Sequence, residues 1–190
     1  MSTISTAPPM TSEELLALPD DGIERELIRG QLRERPITRR NRRHSRATAR
    51  LATFLGTWLD KQQHGKGEVL VGDAAFRLIQ NPESTVGIDL AYISEELSKN
   101  APDDTFLIDG TPVLAAEILS PSDTHEDVVE KVQLYLEVGV AVVWIIDPDL
   151  RNVTVYRPEK DAMLFAASQE LIGDPELPGF RVRVADIFSR

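Results

Sequence analysis

Two acids stand where apolar residues are expected. Pro112 to Leu119, PVLAAEIL, suits a strand covered on both faces except at Glu117, and Val86 to Ile93, VGIDLAYI, is interrupted in the same way by Asp89. An unpaired carboxylate in such a place costs several kcal/mol or has its pKa driven up until it is neutral. A cationic side chain, a set of hydrogen-bond donors or a metal ion could offset that cost. Two carboxylates brought together on adjacent strands also repel, and the relief is a shared proton or a hard cation that takes oxygen ligands. Mg²⁺, or Mn²⁺ in its place, is the natural candidate. The stretch that carries Glu117 runs on through SPSDTHEDVVEK and supplies Lys131. On a helix from Thr124, Val128, Val129, Val132 and Leu136 form the buried face, and Lys131 lies along its edge with Asp127 and Thr124, within reach of Glu117. A lysine beside water held on a cation can orient the nucleophile or stabilise charge on a phosphate. The plainer readings are Asp89 as a strand-end turn residue, Glu117 paired with a buried arginine such as Arg77, and Lys131 solvated beside Asp127.

Several elements must position these residues. TSEELLALPDD predicts a short capped helix, and ERELIRGQLRER predicts two strands turning at Arg29-Gly30. From Arg40 to Gln63 the spacing predicts a long helix with Ala47, Leu51, Phe54, Leu55, Trp58 and Leu59 on one face. His44 projects onto that face, whereas Arg43, Arg46 and Arg50 project to its side and outward. Strands EVLVGDAAFRLI, VGIDLAYI and PVLAAEIL follow, with a turn-rich connection from Lys99 to Gly110. The helix from Thr124 to Val138 stops at Gly139, VVWIID and NVTVYRP form strands around an Asp147 to Asn152 turn, and GFRVRVADIF closes the sequence. Asp147 serves the turn before Pro148. This order predicts a mixed central sheet flanked by helices and not a doubly wound parallel fold.

The 190 residues suit one domain over 11–190 behind a flexible tail at 1–10. No apolar run approaches the length that spans a bilayer, MSTISTAPPM does not read as a secretory signal, and without cysteine there is neither a disulfide nor a thiolate metal site, so a cytoplasmic location is expected. Net charge is −10, yet residues 29–50 hold nine arginines against one acid, Glu34, a local net of +8 that leaves −18 for the rest. A basic island on an acidic body is either a phosphate-binding surface or a solvated helix face balancing nearby acids.

The segments IDL, AAEILSPSD, DVVEKVQLYLEVGV and VVWIIDP resemble the Uma-two (Uma2) family of putative restriction endonucleases, a branch of the PD-(D/E)XK nuclease superfamily. The resemblance runs from TSEELLALPDD through ERELIRGQL and His44 to GFRVRVADIF. It implies a restriction-endonuclease-like α/β core and a Mg²⁺-dependent endodeoxyribonuclease that hydrolyses DNA phosphodiester bonds with metal-activated water. By the same resemblance Asp89 and Glu117 hold the ion, Lys131 is the catalytic lysine, and Glu26 and His44 complete the catalytic set. DNA is then the partner, met by Arg43, Arg46 and Arg50, and a homodimer is expected because a two-fold pair can cut two strands. Three positions depart from the superfamily pattern. Leu119 occupies the usual place of the lysine two residues after the Glu, Ile88 replaces the proline before the Asp, and Val142 replaces an acid before the Trp. The acidic body favours an alternative, a nuclease-derived DNA-binding or scaffold protein that does not cut. A hydrolase of small phosphodiesters is a third reading, but no Gly-rich phosphate cradle supports it.

Overall fold

A computed structural model describes residues 9–36, 41–62 and 66–190. Most of the expected tail, residues 1–8, and Arg39 and Arg40 of the basic island lie outside the described residues. Thr11 closes a capping box with Glu14 to start helix α1 (Ser12–Leu16). Strands β1 (Ile23–Ile28) and β2 (Gln31–Pro36) form a hairpin whose two turn residues, Arg29 and Gly30, both have positive φ, 50° and 73°. That combination twists the turn to match the strands. A side chain at Gly30 would strike the Pro9 ring, so glycine is required there.

Asn41 caps helix α2 (Arg42–Asp60) by accepting from the backbone N–H groups of Arg43 and His44. Next come β3 (Glu68–Gln80), β4 (Glu83–Ile93), the short helix α3 (Glu95–Asn100), β5 (Ile108–Asp109) and β6 (Leu114–Ile118). Helix α4 (His125–Glu137) opens on a Thr124–Asp127 capping box and gives way to Gly139 at φ 90°. The chain ends with β7 (Val142–Asp147), β8 (Asn152–Tyr156), β9 (Met163–Phe165), β10 (Glu170–Ile172), β11 (Arg181–Arg183) and α5 (Val184–Ile187). Nine strands form one mixed sheet in the order β2-β1-β4-β6-β7-β8-β9, with β3 on β4 and β5 on β3. The β6–β7 and β3–β5 pairs are parallel and the other pairs of the sheet antiparallel.

Alternate residues of β6 and β7 feed two separate cores, as strand geometry requires. Leu114, Ala116, Ile118, Val142, Trp144 and Ile146 pack with Ala47, Leu51, Leu55 and Trp58 of α2 and with Val184 and Ile187 of α5. Ala115, Val143 and Ile145 pack with Val132, Leu134 and Tyr135 of α4 on the opposite face. Trp58 meets Tyr92 and Phe180 edge-on, closing the α2 side.

The structure corrects the sequence reading in four places. Helix α2 ends at Asp60, short of Gln63; the connection from Lys99 to Gly110 contains the end of α3 and the two-residue β5; β9 and β10 follow β8; and VADI at the end of the chain is helical. The buried face of α4 is also turned. Val129 is exposed, whereas Leu134, Tyr135 and Lys131 are buried. Among the described residues no helix is long and apolar enough to cross a membrane.

Candidate active site

The site forms where β4 changes partners. Strand β3 runs along one edge of β4, while the other edge is shared: β1 meets it at Thr85 and β6 at Leu90 to Tyr92. Between those contacts the edge is left to side chains. The N–H of Ile118, the next donor of β6 on that side, donates to Asp89 Oδ2 at 2.8 Å. Asp89 thus takes the place of a backbone acceptor and gives the ladder its end. This is why an acid is tolerated in VGIDLAYI.

The two helices reach this edge from opposite faces of the sheet. His44, in the first turn of α2, brings Nε2 to 3.4 Å from Asp89 Oδ2. Lys131, on α4, places Nζ 2.8 Å from Glu26 Oε1, 3.5 Å from Glu117 Oε1 and 3.4 Å from the Gly87 carbonyl. Tyr135, one helical turn beyond Lys131, donates its hydroxyl to Glu117 Oε1. Glu26 is further faced by Arg35 at 3.6 Å, which also binds Glu24 at 2.9 Å and lies 3.8 Å from Asp123. Asp89, Glu26, His44 and Lys131 are all less than one-tenth exposed. All five residues singled out for catalysis are therefore neighbours or neighbours of neighbours, although they come from β1, α2, β4, β6 and α4.

The pairings expected for Glu117 and Lys131 in their plainer readings are not formed, whereas Glu26 does meet Arg35 across the hairpin. Arg77 does not meet Glu117; it pairs with Asp109 and Glu13 on another part of β3. Lys131 is not solvated beside Asp127, whose carboxylate instead caps α4 at Thr124.

Burial acts in opposite directions on the charged members. Burial raises the pKa of Glu117 to about 8, with the Asp89 charge adding to the rise and the Lys131 ammonium and the Tyr135 hydroxyl opposing it. Burial also works against the Asp89 carboxylate, yet the hydrogen bonds from His44 and the Ile118 N–H hold its pKa down at about 2. Lys131 is desolvated too, but the Glu117 and Glu26 charges raise its pKa and keep it an ammonium. Asp89 is thus held ionised, Glu117 resists ionisation, and Lys131, set between Glu117 and Glu26, stays a cation.

Asp89, Glu117, Lys131 and Asp73 line a cleft of about 30 Å³, room for a water or an ion. Among the described residues no three His, Asp or Glu side chains gather into a ready-made metal cage. The donors do fit a magnesium-like ion, which is held by one or two carboxylates and keeps its remaining sites for water and phosphate oxygen.

Two contributors were not singled out from the sequence. Tyr135 falls one turn after Lys131 on the same helical stripe, and that spacing was the available signal. Asp73 has φ 58° at a bulge in β3 and reaches over Gly87, where a Cβ would come 3.4 Å from its own. The Gly72-Asp73 break in an otherwise apolar strand was its only mark. Replacing Tyr135 by phenylalanine withdraws a donor from a buried acceptor, and is expected to cost about 1–2 kcal/mol. Thermal unfolding should register this as a fall of about 2–8 °C.

The arginine row of α2 divides. Arg50 donates Nε to the Asp186 carbonyl of α5 at 3.2 Å and lies over the Phe54 ring. Arg43 pairs with Asp149 on the β7–β8 turn, and both are well exposed. Arg46 lines a cavity beside them.

Comparison with known proteins bears on the same architecture. The model of the family Uma2, described as "Putative restriction endonuclease", matches residues 12–185. The crystal structure of a putative nuclease belonging to DUF820 from Anabaena variabilis ATCC 29413 matches with a TM-score of 0.78 at 20% identity, covering 95% of this chain and 98% of that one. No curated protein gives a significant match.

Proposed function

The chain belongs to the Uma2 family and has a restriction-endonuclease-like α/β core, and from that premise we propose that it is a divalent-metal-dependent endonuclease acting on DNA. The observation that carries the proposal is the convergence of Asp89, Glu117 and Lys131 on one cleft from β4, β6 and α4.

In this reading Asp89 and Glu117 hold Mg²⁺ or Mn²⁺. When bound, such an ion supplies Lewis acidity for water and for the phosphate oxygens. Asp89 is suited to its part because the Ile118 N–H and His44 fix its oxygen and keep it ionised. Glu117 is aimed from beneath by Tyr135. Lys131 is clamped between Glu26 and Glu117, so its ammonium orients the attacking water and stabilises charge growing on the phosphate. It does not act as a base, because both acids hold its proton on. Glu26 and His44 position Lys131 and Asp89, and Arg43 and Arg46 of α2 face the DNA backbone. A homodimer would bring two such clefts to the two strands.

Supercoiled plasmid provides the test. With Mg²⁺ or Mn²⁺ the protein should produce nicked and then linear DNA, while chelation or Glu117→Ala should leave the plasmid supercoiled. DNA bound and retarded but never nicked with either ion would favour the non-cutting scaffold.

A further inference from the structure

The β7–β8 turn and the end of the chain add two arginines to the two that α2 presents. Arg43, Arg46, Arg151 and Arg190 line one cavity of about 390 Å³, together with Asp149 and Ser189. Four arginines line it beside one acidic side chain, Asp149, which is already paired with Arg43. No ion pair to Arg46, Arg151 or Arg190 is formed among the described residues. On a chain of net charge −10, surplus arginines gathered around a concavity are a specific feature of this surface.

Arg151 also sits in a costly backbone position. Its φ is 55°, in the left-handed region that glycine and asparagine adopt more readily. The turn before it is fixed by Asp147, whose Oδ1 accepts from the N–H groups of Asp149 and Leu150, both at 2.8 Å. The arginine is thus presented from a turn that Asp147 ties by two hydrogen bonds.

The cavity lies at the same end of the sheet as the candidate active site. Strand β7 runs parallel to β6 with Ile118 opposite Ile146, so the turn after Asp147 emerges past the end of β6 that carries Glu117. One or two strand spacings, about 5–10 Å, separate β6 from the turn. Helix α2 joins the two places directly, since His44 faces Asp89 and its neighbour Arg43 faces Asp149.

We propose that Arg43, Arg46, Arg151 and Arg190 form a phosphodiester-binding subsite that holds the DNA backbone beside the phosphate to be cut. The proposal rests on the nuclease reading for its place in catalysis, but its test does not. A guanidinium fork matches phosphate oxygens, and the cavity has room for a phosphate group and its water.

The experiment is equilibrium binding of a short fluorescein-labelled DNA duplex, read by anisotropy in EDTA across a salt series, so that neither metal nor cleavage enters. Wild type is compared with Arg46→Gln/Arg151→Asn. Asparagine suits the left-handed position, and matching thermal unfolding of the two proteins establishes that the fold is kept. The double variant should bind about tenfold to sixtyfold more weakly at about 0.1 M salt, and the slope of log K against log salt should become shallower by about 0.9 for every phosphate that is no longer neutralised. Unchanged affinity and slope overturn the subsite, as does a wild-type protein that binds inorganic phosphate through these arginines but not the duplex. Arginine-dependent binding by a protein that never nicks DNA would uphold the subsite and remove the nuclease reading alone.

Discussion

Lys131→Met is expected to abolish most cleavage and to unsettle the fold at the same time. The ammonium lies between Glu26 and Glu117, and its removal leaves two buried acids facing each other. Breaking a buried pair in this way costs about 3–5 kcal/mol, which for a chain of this size lowers the unfolding temperature by about 6–20 °C. Loss of a cation aimed at the reacting phosphate should reduce single-turnover nicking by about 10²–10³-fold. The two effects can be separated. Lys131→Met combined with Glu26→Gln removes one acid along with the lysine and should recover much of the stability while recovering none of the cleavage. Leu119 lines the same cleft, so Leu119→Lys in that background rebuilds the usual superfamily spacing and should restore part of the activity. Undiminished nicking by Lys131→Met would return the lysine to a purely structural role.

Glu117→Gln should separate stability from function in the opposite direction. Glutamine has nearly the same shape, accepts the Tyr135 hydroxyl as glutamate does, and brings no charge into a group of acids that already holds Asp89 and Glu26. Burial has already made the charged form of Glu117 unfavourable, so the variant should unfold at the native temperature or above it when no divalent ion is present. Cleavage, in contrast, should fall by about 10³-fold or more, because an amide is a poor ligand for a hard dication. A marked loss of stability together with native cleavage would show that Glu117 serves the fold and not the reaction.

The site was legible because its acids violate local pattern. Glu117 and Asp89 interrupt runs that are otherwise apolar on both faces, and such an interruption can be read without knowing the fold. His44 was legible for the same reason, a polar residue on the apolar stripe of α2. The valines of α4 predict a stripe that leaves Lys131 at its edge, and the buried face is turned to include Lys131 and Tyr135. The side chains on the site, and not hydrophobicity alone, set that rotation, since the ammonium and the hydroxyl both bind acids beneath the helix. Asp73 was hidden because a β-bulge reverses the direction its side chain takes, and Arg151 because a turn joins it to α2 across a large sequence separation. The small strands β5, β9 and β10 have two or three residues each, too few to show a period.

The role proposed for the buried acids of β4 and β6 is to hold a divalent cation. Calorimetric titration of Mn²⁺ into the DNA-free protein, wild type beside Glu117→Gln, tests it directly. Wild type should give a saturable heat and, at a hundredfold excess of ion over its Kd, gain about 2.7 kcal/mol of stability, and the variant should give neither. Equal heats from the two proteins, or none from wild type, would contradict that role and leave Asp89 as a partner of His44 and the Ile118 N–H, and Glu117 as a partner of Lys131 and Tyr135.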